Sequence, residues 1–216
     1  MRKKIFTAVI LIAALSALGL GGYYAWWNHA CRGTRLNFSV VVPGKIYRSG
    51  QPHDDDFRRI AKTYDIKTII CLSEDGHEES EVKKAAEEFG INILGIKMSQ
   101  IAIPDRRQVD FIMKVLTGTP TEYKDYEAML GEWFSPVKTP GVLPGPYLIH
   151  CARGKDRTGY VIALYRMCFQ GWPRERAAAE MKDNYHFFFM YPVPKFLKAL
   201  REIEPAPYCP QINPNY

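Results

Sequence analysis

Several features are missing from this sequence, and each absence removes a class of function. The formal net charge is +6, from 29 basic against 23 acidic residues. The basic side chains are nevertheless scattered, with no long basic run interleaved with aromatics, so a nucleic-acid groove is not expected. No Cys/His cluster has the spacing of a zinc site, and His29, His53, His77 and His186 stand apart from one another. No metal and no cofactor is therefore expected. The cysteines number only five. That count is odd, and Cys31, Cys71, Cys151, Cys168 and Cys209 follow no disulfide-framework spacing. Cys71 sits in the apolar run 68–72 and Cys168 on a predicted helix, so both are expected to fill the core, leaving Cys31 and Cys209 as a pair that could bridge. With 216 residues and 47% hydrophobic content, what remains is one globular domain with an appendage, not a disordered chain or a repeat array.

The appendage is the N-terminal segment. Met1-Arg2-Lys3-Lys4 precedes an uncharged stretch over residues 5–27, which closes on Tyr23, Tyr24, Trp26 and Trp27. That length is close to the ~20 apolar residues needed to cross a bilayer, and aromatic rings at its edge suit a membrane interface. Residues 1–28 are thus expected to be a single-pass transmembrane helix. Its basic end would stay cytoplasmic, sending the rest of the chain to the periplasmic or extracytoplasmic side of the inner membrane. A cleaved signal peptide is the alternative, because residues 14–16 and 17–19 are passable small-x-small sites.

Residues 29–37 read as a linker, 38–204 as the domain and 205–216 as a tail. Two short strands are predicted at 38–42 and 45–47 about the turn Pro43-Gly44. Helices then alternate with buried strands: helix to Tyr64, strand 66–72, helix 79–89, strand 91–96, helix 106–116 and strand 147–150. This alternation predicts an α/β domain with a central, mostly parallel sheet flanked by helices. Residues 117–146, rich in Pro and Gly, form an excursion with a possible short helix at 123–133. Three helices, 158–169, 173–183 and 194–203, close the domain, with Gly171 at the end of the first. Val161, Leu164, Tyr165 and Cys168 follow helical spacing and are assigned to the core. Phe187 to Tyr191 is an aromatic run expected to pack against the last helices.

The chemistry is concentrated in His150-Cys151-Ala152-Arg153-Gly154-Lys155-Asp156-Arg157-Thr158-Gly159, placed where a strand ends and a helix begins. A loop wrapped at a helix N-terminus aims successive backbone N–H groups into one concavity, a cradle for phosphate. Helix N-termini and nearby cations can bring a thiol from ~8.5 to roughly 3.5–7.5. Cys151 is therefore expected to react as a thiolate nucleophile. Arg157 can return over the loop and hold two phosphoryl oxygens at once, which lysine cannot do. The hydroxyl of Thr158 can donate to the thiolate, and His150 is expected to orient the loop and to help lower the thiol pKa. Ala152, Arg153, Gly154, Lys155, Asp156 and Arg157 form the substrate-binding loop.

Cys-x5-Arg-Thr-Gly after a His and an apolar strand resembles the signature of the protein-tyrosine phosphatase superfamily, in the form found in compact bacterial dual-specificity-like members. Tyr47-Arg48-Ser49-Gly50-Gln51-Pro52 and Gln170-Gly171-Trp172 are similar to segments of that group, so the resemblance spans about residues 38–200. It implies a cysteine-phosphatase-like fold and hydrolysis of a phosphate monoester through a cysteinyl-phosphate, with phosphotyrosine, or also phosphoserine and phosphothreonine, on a protein as substrate. It further implies an upstream Asp as general acid. In residues 98–105 the only carboxylate is Asp105, but Asp105 with Gln108 three positions on is also a capping box for the next helix. Asp156 and the turn 73–76 are the other carboxylates that could serve. Two further functions stay open. Arg153 and Lys155 would suit a phosphoinositide or inositol phosphate, and a chain without an acid could be a phosphate-binding module without turnover.

Overall fold

A computed structural model describes residues 36–73, 84, 86–99, 102–120, 142–184, 195–202 and 209, together with 16, 18, 19, 21 and 22. The chain divides into two compact units, Met1–Arg35 and Leu36–Tyr216. In the first, the five described residues are helical. Among the described residues no helix is long and apolar enough to cross a membrane. The membrane span expected over residues 5–27 falls almost wholly outside them.

The second unit carries the predicted α/β architecture. Five strands, β1 (Ser39–Val42), β2 (Ile46–Ser49), β3 (Thr68–Cys71), β4 (Asn92–Gly95) and β5 (Tyr147–His150), form one sheet in the order β1-β2-β5-β3-β4. All neighbours are parallel except β1, which runs antiparallel to β2. The sheet is thus mixed, with a parallel centre. The edge pair is antiparallel because only two turn residues and Lys45 separate its strands, too short a connection for a parallel crossover.

Strand alternation sorts the core onto two faces. Tyr47, Ile69, Ile93 and Leu148 point to one side and pack with Phe57, Ile60 and Ala61 of α1 (Asp54–Tyr64) and with Ala86 of the helical residues 86–89. Ile46, Ile70, Leu94 and Ile149 point to the other. There they meet α2 (Arg106–Leu116), α3 (Asp156–Gln170), α4 (Arg174–Asp183) and α5 (Lys195–Glu202). Helix α3 is the hub of this layer. Every residue from 157 to 166 is buried, as befits a helix enclosed on all sides. Gly171 ends it at φ 65°, the left-handed position expected of a helix-closing glycine. Residues 121–141, including the helix expected at 123–133, and the aromatic run 187–191 lie outside the described residues.

The cysteines correct one expectation. Cys168 is not a core filler: it lies half-buried near the end of α3 and forms a disulfide with Cys209. The predicted helical face holds at Val161, Leu164 and Tyr165, which are buried. Cys168 falls just past the enclosed part of the helix, where the side of α3 is left open to the tail. Cys71 is buried and takes no part in the bridge, as expected.

The bridge closes a loop of sequence separation 41. In the chain-entropy model such a loop contributes roughly 3–4 kcal/mol. Urea denaturation of Cys168→Ser should show a loss of that order, reproduced in the parent protein by dithiothreitol. Equal midpoints with and without reductant would remove the bridge from the folded state.

Candidate active site

The central strand β5 ends at His150, between Ser49 of β2 and Cys71 of β3. Parallel strands bring their carboxyl ends to one edge, where α/β sheets hold their ligands. Cys151 follows immediately and is buried. Residues 152–155 turn, and α3 begins at Asp156. The strand, the loop and the helix N-terminus predicted from the sequence are therefore contiguous in space.

Gly154 makes the turn possible. It sits at φ +64°, and a Cβ there would lie 2.5 Å from the Ser49 carbonyl oxygen and 2.6 Å from the Gly50 nitrogen. A side chain is excluded both by conformation and by rigid backbone. Ala152 and Arg153 are exposed at the loop crest, Lys155 and Asp156 half-buried, and Arg157 and Thr158 buried. Asp156 occupies the first turn of α3, where a carboxylate complements the helix dipole.

Arg157 is only 4% exposed, and its Nη1 donates to the Met98 carbonyl at 3.1 Å. Met98 belongs to the segment following β4, so the arginine expected to clamp phosphate also grips the chain that leads to Asp105. Asp105 itself is exposed and caps α2. Its Oδ1 accepts the Arg107 amide at 2.9 Å, and its own amide donates to Gln108 Oε1 at 3.1 Å. Gln108 Nε2 in turn donates to the Lys97 carbonyl at 2.7 Å, closing the segment on itself. Both halves of the capping box read from the sequence are formed. Of the other carboxylates that could serve as acid, those at positions 74 and 75 lie outside the described residues.

Thr158 Oγ1 and Ser49 Oγ are buried with no hydrogen-bond partner among the described residues. The expected Thr158 bond to the Cys151 sulfur is therefore not made in this state. His150 is fully buried, and its imidazole is pushed down to about 4, first by loss of hydration and then by the Arg157 charge, against a weaker upward pull from the Cys151 backbone; neither ring nitrogen has a hydrogen-bond partner among the described residues. A neutral ring in that place supports the loop by packing and does not add charge to it.

The sequence motif did not foretell what holds the loop from outside. Asn37 Nδ2 donates to the carbonyls of Gly154 at 3.0 Å and Arg153 at 3.4 Å. The Gln51 amide donates to the Ala152 carbonyl at 3.2 Å. Arg48, 1% exposed, donates through Nη2 to Gly154 O. The sequence signals were a basic residue within a short strand and the likeness of residues 47–52 to a segment of the family, neither of which gave the contact.

Two outcomes follow. Above the unfolded-state value of ~6.5 His150 is neutral in both states; as pH falls toward 4 only the unfolded chain takes the proton, so stability drops with falling pH. The loss should reach on the order of 3 kcal/mol between pH 7 and 4, and urea midpoints should flatten over that range in His150→Asn. An unchanged slope in the variant would exclude His150 as the titrating group. Gly154→Ala should cost roughly 2 kcal/mol or more and remove oxyanion binding together with it, because neither the strain nor the backbone contact can be relieved by a rotamer.

Comparison with known proteins agrees with this geometry. Residues 34–190 match the model of a family described as the tyrosine phosphatase family. The chain is 29% identical over 138 residues to the yeast (Saccharomyces cerevisiae) inositol diphosphatase SIW14, covering 63% of this chain and 41% of that protein. It is 30% identical to inositol diphosphatase DSP3 of Arabidopsis thaliana, covering 68% and 62%. A 40-residue stretch is 47% identical to the dual specificity protein phosphatase TpbA of Pseudomonas aeruginosa, 18% of either chain. The matched segments thus span less than two thirds of these relatives. The catalytic core of SIW14 superimposes with a TM-score of 0.57 at 23% identity, covering 78% of this chain and 85% of that one, and TpbA with 0.55 at 21%, covering 79% and 87%, which is likeness of fold. With a family model matched across most of the chain and the cysteine–arginine loop folded around a helix N-terminus, the chain belongs to the tyrosine phosphatase family.

Proposed function

We propose that the protein is a cysteine-dependent phosphatase whose substrates carry leaving groups that depart without full protonation, phosphotyrosine on proteins foremost. The observation that carries this reading is the capped state of Asp105, the one carboxylate in the segment gripped by Arg157. Its Oδ1 is committed to the helix. In the first step the Cys151 sulfur attacks phosphorus while the bond to the leaving oxygen breaks, with Arg157 and the loop amides holding the equatorial oxygens. In the second, water attacks phosphorus and the sulfur leaves with its electron pair, regenerating the thiolate. A weak acid limits the first step most for alkoxide leaving groups, as in phosphoserine and phosphothreonine. A phenolate, whose conjugate acid has a pKa of ~10, needs less help.

A second reading is an inositol diphosphate substrate. It is supported by the relatives that align over about two thirds of this chain, and the phosphate monoester that departs when a phosphoanhydride is attacked at its terminal phosphorus is an even better leaving group. Exposed Arg153 and half-buried Lys155 at the loop would favour so dense an anion. The disulfide supports the exported location expected from the N-terminal segment, since such bridges persist outside reducing compartments. We accordingly propose a membrane-held or secreted domain working on extracytoplasmic substrates.

The reading is tested by initial rates on p-nitrophenyl phosphate, phosphotyrosine and phosphoserine peptides, and a diphosphoinositol. The expected outcome is turnover that vanishes in Cys151→Ser and falls about 10³-fold in Arg157→Lys, with phosphotyrosine preferred over phosphoserine by about 100-fold. Asp105→Asn should lower peptide turnover by tenfold or less, well short of the roughly 10²–10⁴ of a fully engaged acid. Faster turnover of the diphosphoinositol than of any peptide would install the second reading. Absence of turnover on all four would leave a binding module.

A further inference from the structure

The inside of the phosphate loop is accounted for by the catalytic cysteine and arginine; the outside is not. Three consecutive peptide units of the loop have their carbonyls taken by one neighbouring segment, residues 37–51. The Ala152 carbonyl accepts the Gln51 amide at 3.2 Å. The Arg153 carbonyl accepts Asn37 Nδ2 at 3.4 Å. The Gly154 carbonyl accepts Asn37 Nδ2 at 3.0 Å and also Arg48 Nη2. In a planar trans peptide the C=O and the following N–H point in opposite directions. Holding these three carbonyls toward the 37–51 segment therefore turns the amides of Arg153, Gly154 and Lys155 the other way, into the cradle.

Both side chains involved are unusually placed. Arg48 is among the largest fully buried side chains of the molecule, and burying a cation is unfavourable unless it is strongly hydrogen-bonded. Its guanidinium lies against the start of α3, since a Cβ on Gly159 would be 3.7 Å from Nη2. Asn37 holds a left-handed backbone at φ 39°, an unusual state for a residue other than glycine. Its Nδ2 reaches a third carbonyl, that of Asn184, at 3.4 Å. The amide thus ties the loop to the end of α4 as well.

We propose that Arg48 and Asn37 are positioning residues that set the peptide orientation of the phosphate loop. By fixing its carbonyls outward they keep its amides preorganised for a tetrahedral oxyanion before substrate arrives. A charge-assisted bond from Arg48 is the stronger of the two clamps, and Asn37 the one that spans two peptide units. Without them the Gly154 peptide, at a residue free to adopt either sign of φ, can rotate and present its carbonyl oxygen to the phosphate. This inference rests on the phosphatase reading of the cradle.

The test is calorimetric titration of inorganic phosphate and of tungstate into the full chain carrying Cys151→Ser, alone and combined with Asn37→Gly, Arg48→Lys or Arg48→Met. Glycine keeps the left-handed backbone of residue 37 and removes only the amide, while lysine keeps a charged donor at 48. Oxyanion affinity should fall about tenfold in Asn37→Gly and more in Arg48→Met, with substantial recovery in Arg48→Lys. The melting temperature of Asn37→Gly should stay near that of the parent. In the Cys151 background the same substitutions should lower kcat along with kcat/KM, as expected when amides aimed at the transition state are misdirected. Parent-like oxyanion affinity in Asn37→Gly and in both Arg48 variants would overturn the proposal. If Arg48→Met does not fold, Asn37→Gly and Arg48→Lys decide it, a parent-like pair again overturning it. Failure of the parent itself to bind either oxyanion would instead remove the phosphatase reading, and this inference with it.

Discussion

The rest of the structure depends on how a strand in the centre of the sheet hands over to a buried helix. β5 lies between β2 and β3, so its carboxyl end is flanked by strand ends on both sides. α3 leaves from that point into the middle of the helical layer, enclosed from 157 to 166. The five residues between, 151–155, are tied to the sheet at one end and to the helix at the other, and the helix leaves its own first N–H groups without intrahelical partners. Everything proposed to recognise a phosphate is thus built on backbone geometry, with Cys151 and Arg157 as the two side chains proposed to give it chemistry.

The arrangement is asymmetric in its supports. On one side of the loop, residues 37–51 hold its carbonyls through Asn37, Arg48 and Gln51. On the other, Arg157 reaches the Met98 carbonyl and so ties the loop to the segment that leads into α2. The second support is also a constraint on chemistry: the same segment ends in a carboxylate that caps a helix. On the proposed function, a phosphate cradle whose acid is engaged as a helix cap would favour substrates whose leaving groups are stable as anions, and the capping box, a purely local structural device, would then bear on substrate choice.

The burial of polar groups around the cradle gives the site a preference for one protonation state. His150 is neutral because the fold removes it from water and sets it near Arg157. Ser49 and Thr158 keep their hydroxyls in the dry interior. Such groups cost stability where they stand, and they cluster at the strand ends and the helix start that carry the site, whereas the two faces of the sheet are packed with aliphatic and aromatic side chains.

Much of this could be read from the chain itself. Among the described elements hydrophobic alternation located the strands and periodicity the helices to within a residue or two, because each signal is local: strand 68–71 within the predicted 66–72, and helix 106–116 at its predicted bounds, while the helix expected at 123–133 and the start of the one expected at 79–89 lie outside the described residues. The nucleophile, the arginine six residues on and the helix beginning beside them were legible for the same reason, being consecutive in sequence. The capping box at Asp105 and Gln108 was legible too. What lay beyond the sequence was every contact made across distance. The antiparallel edge strand, the Cys168–Cys209 bridge, the Arg157 bond to Met98 and the clamp of Asn37 and Arg48 on Gly154 join residues separated by up to more than a hundred positions. Local propensity carries no information about such pairs. They exist only once the sheet order has brought β2 beside β5, and that order is decided by how the two apolar faces are covered, a property of the whole chain at once.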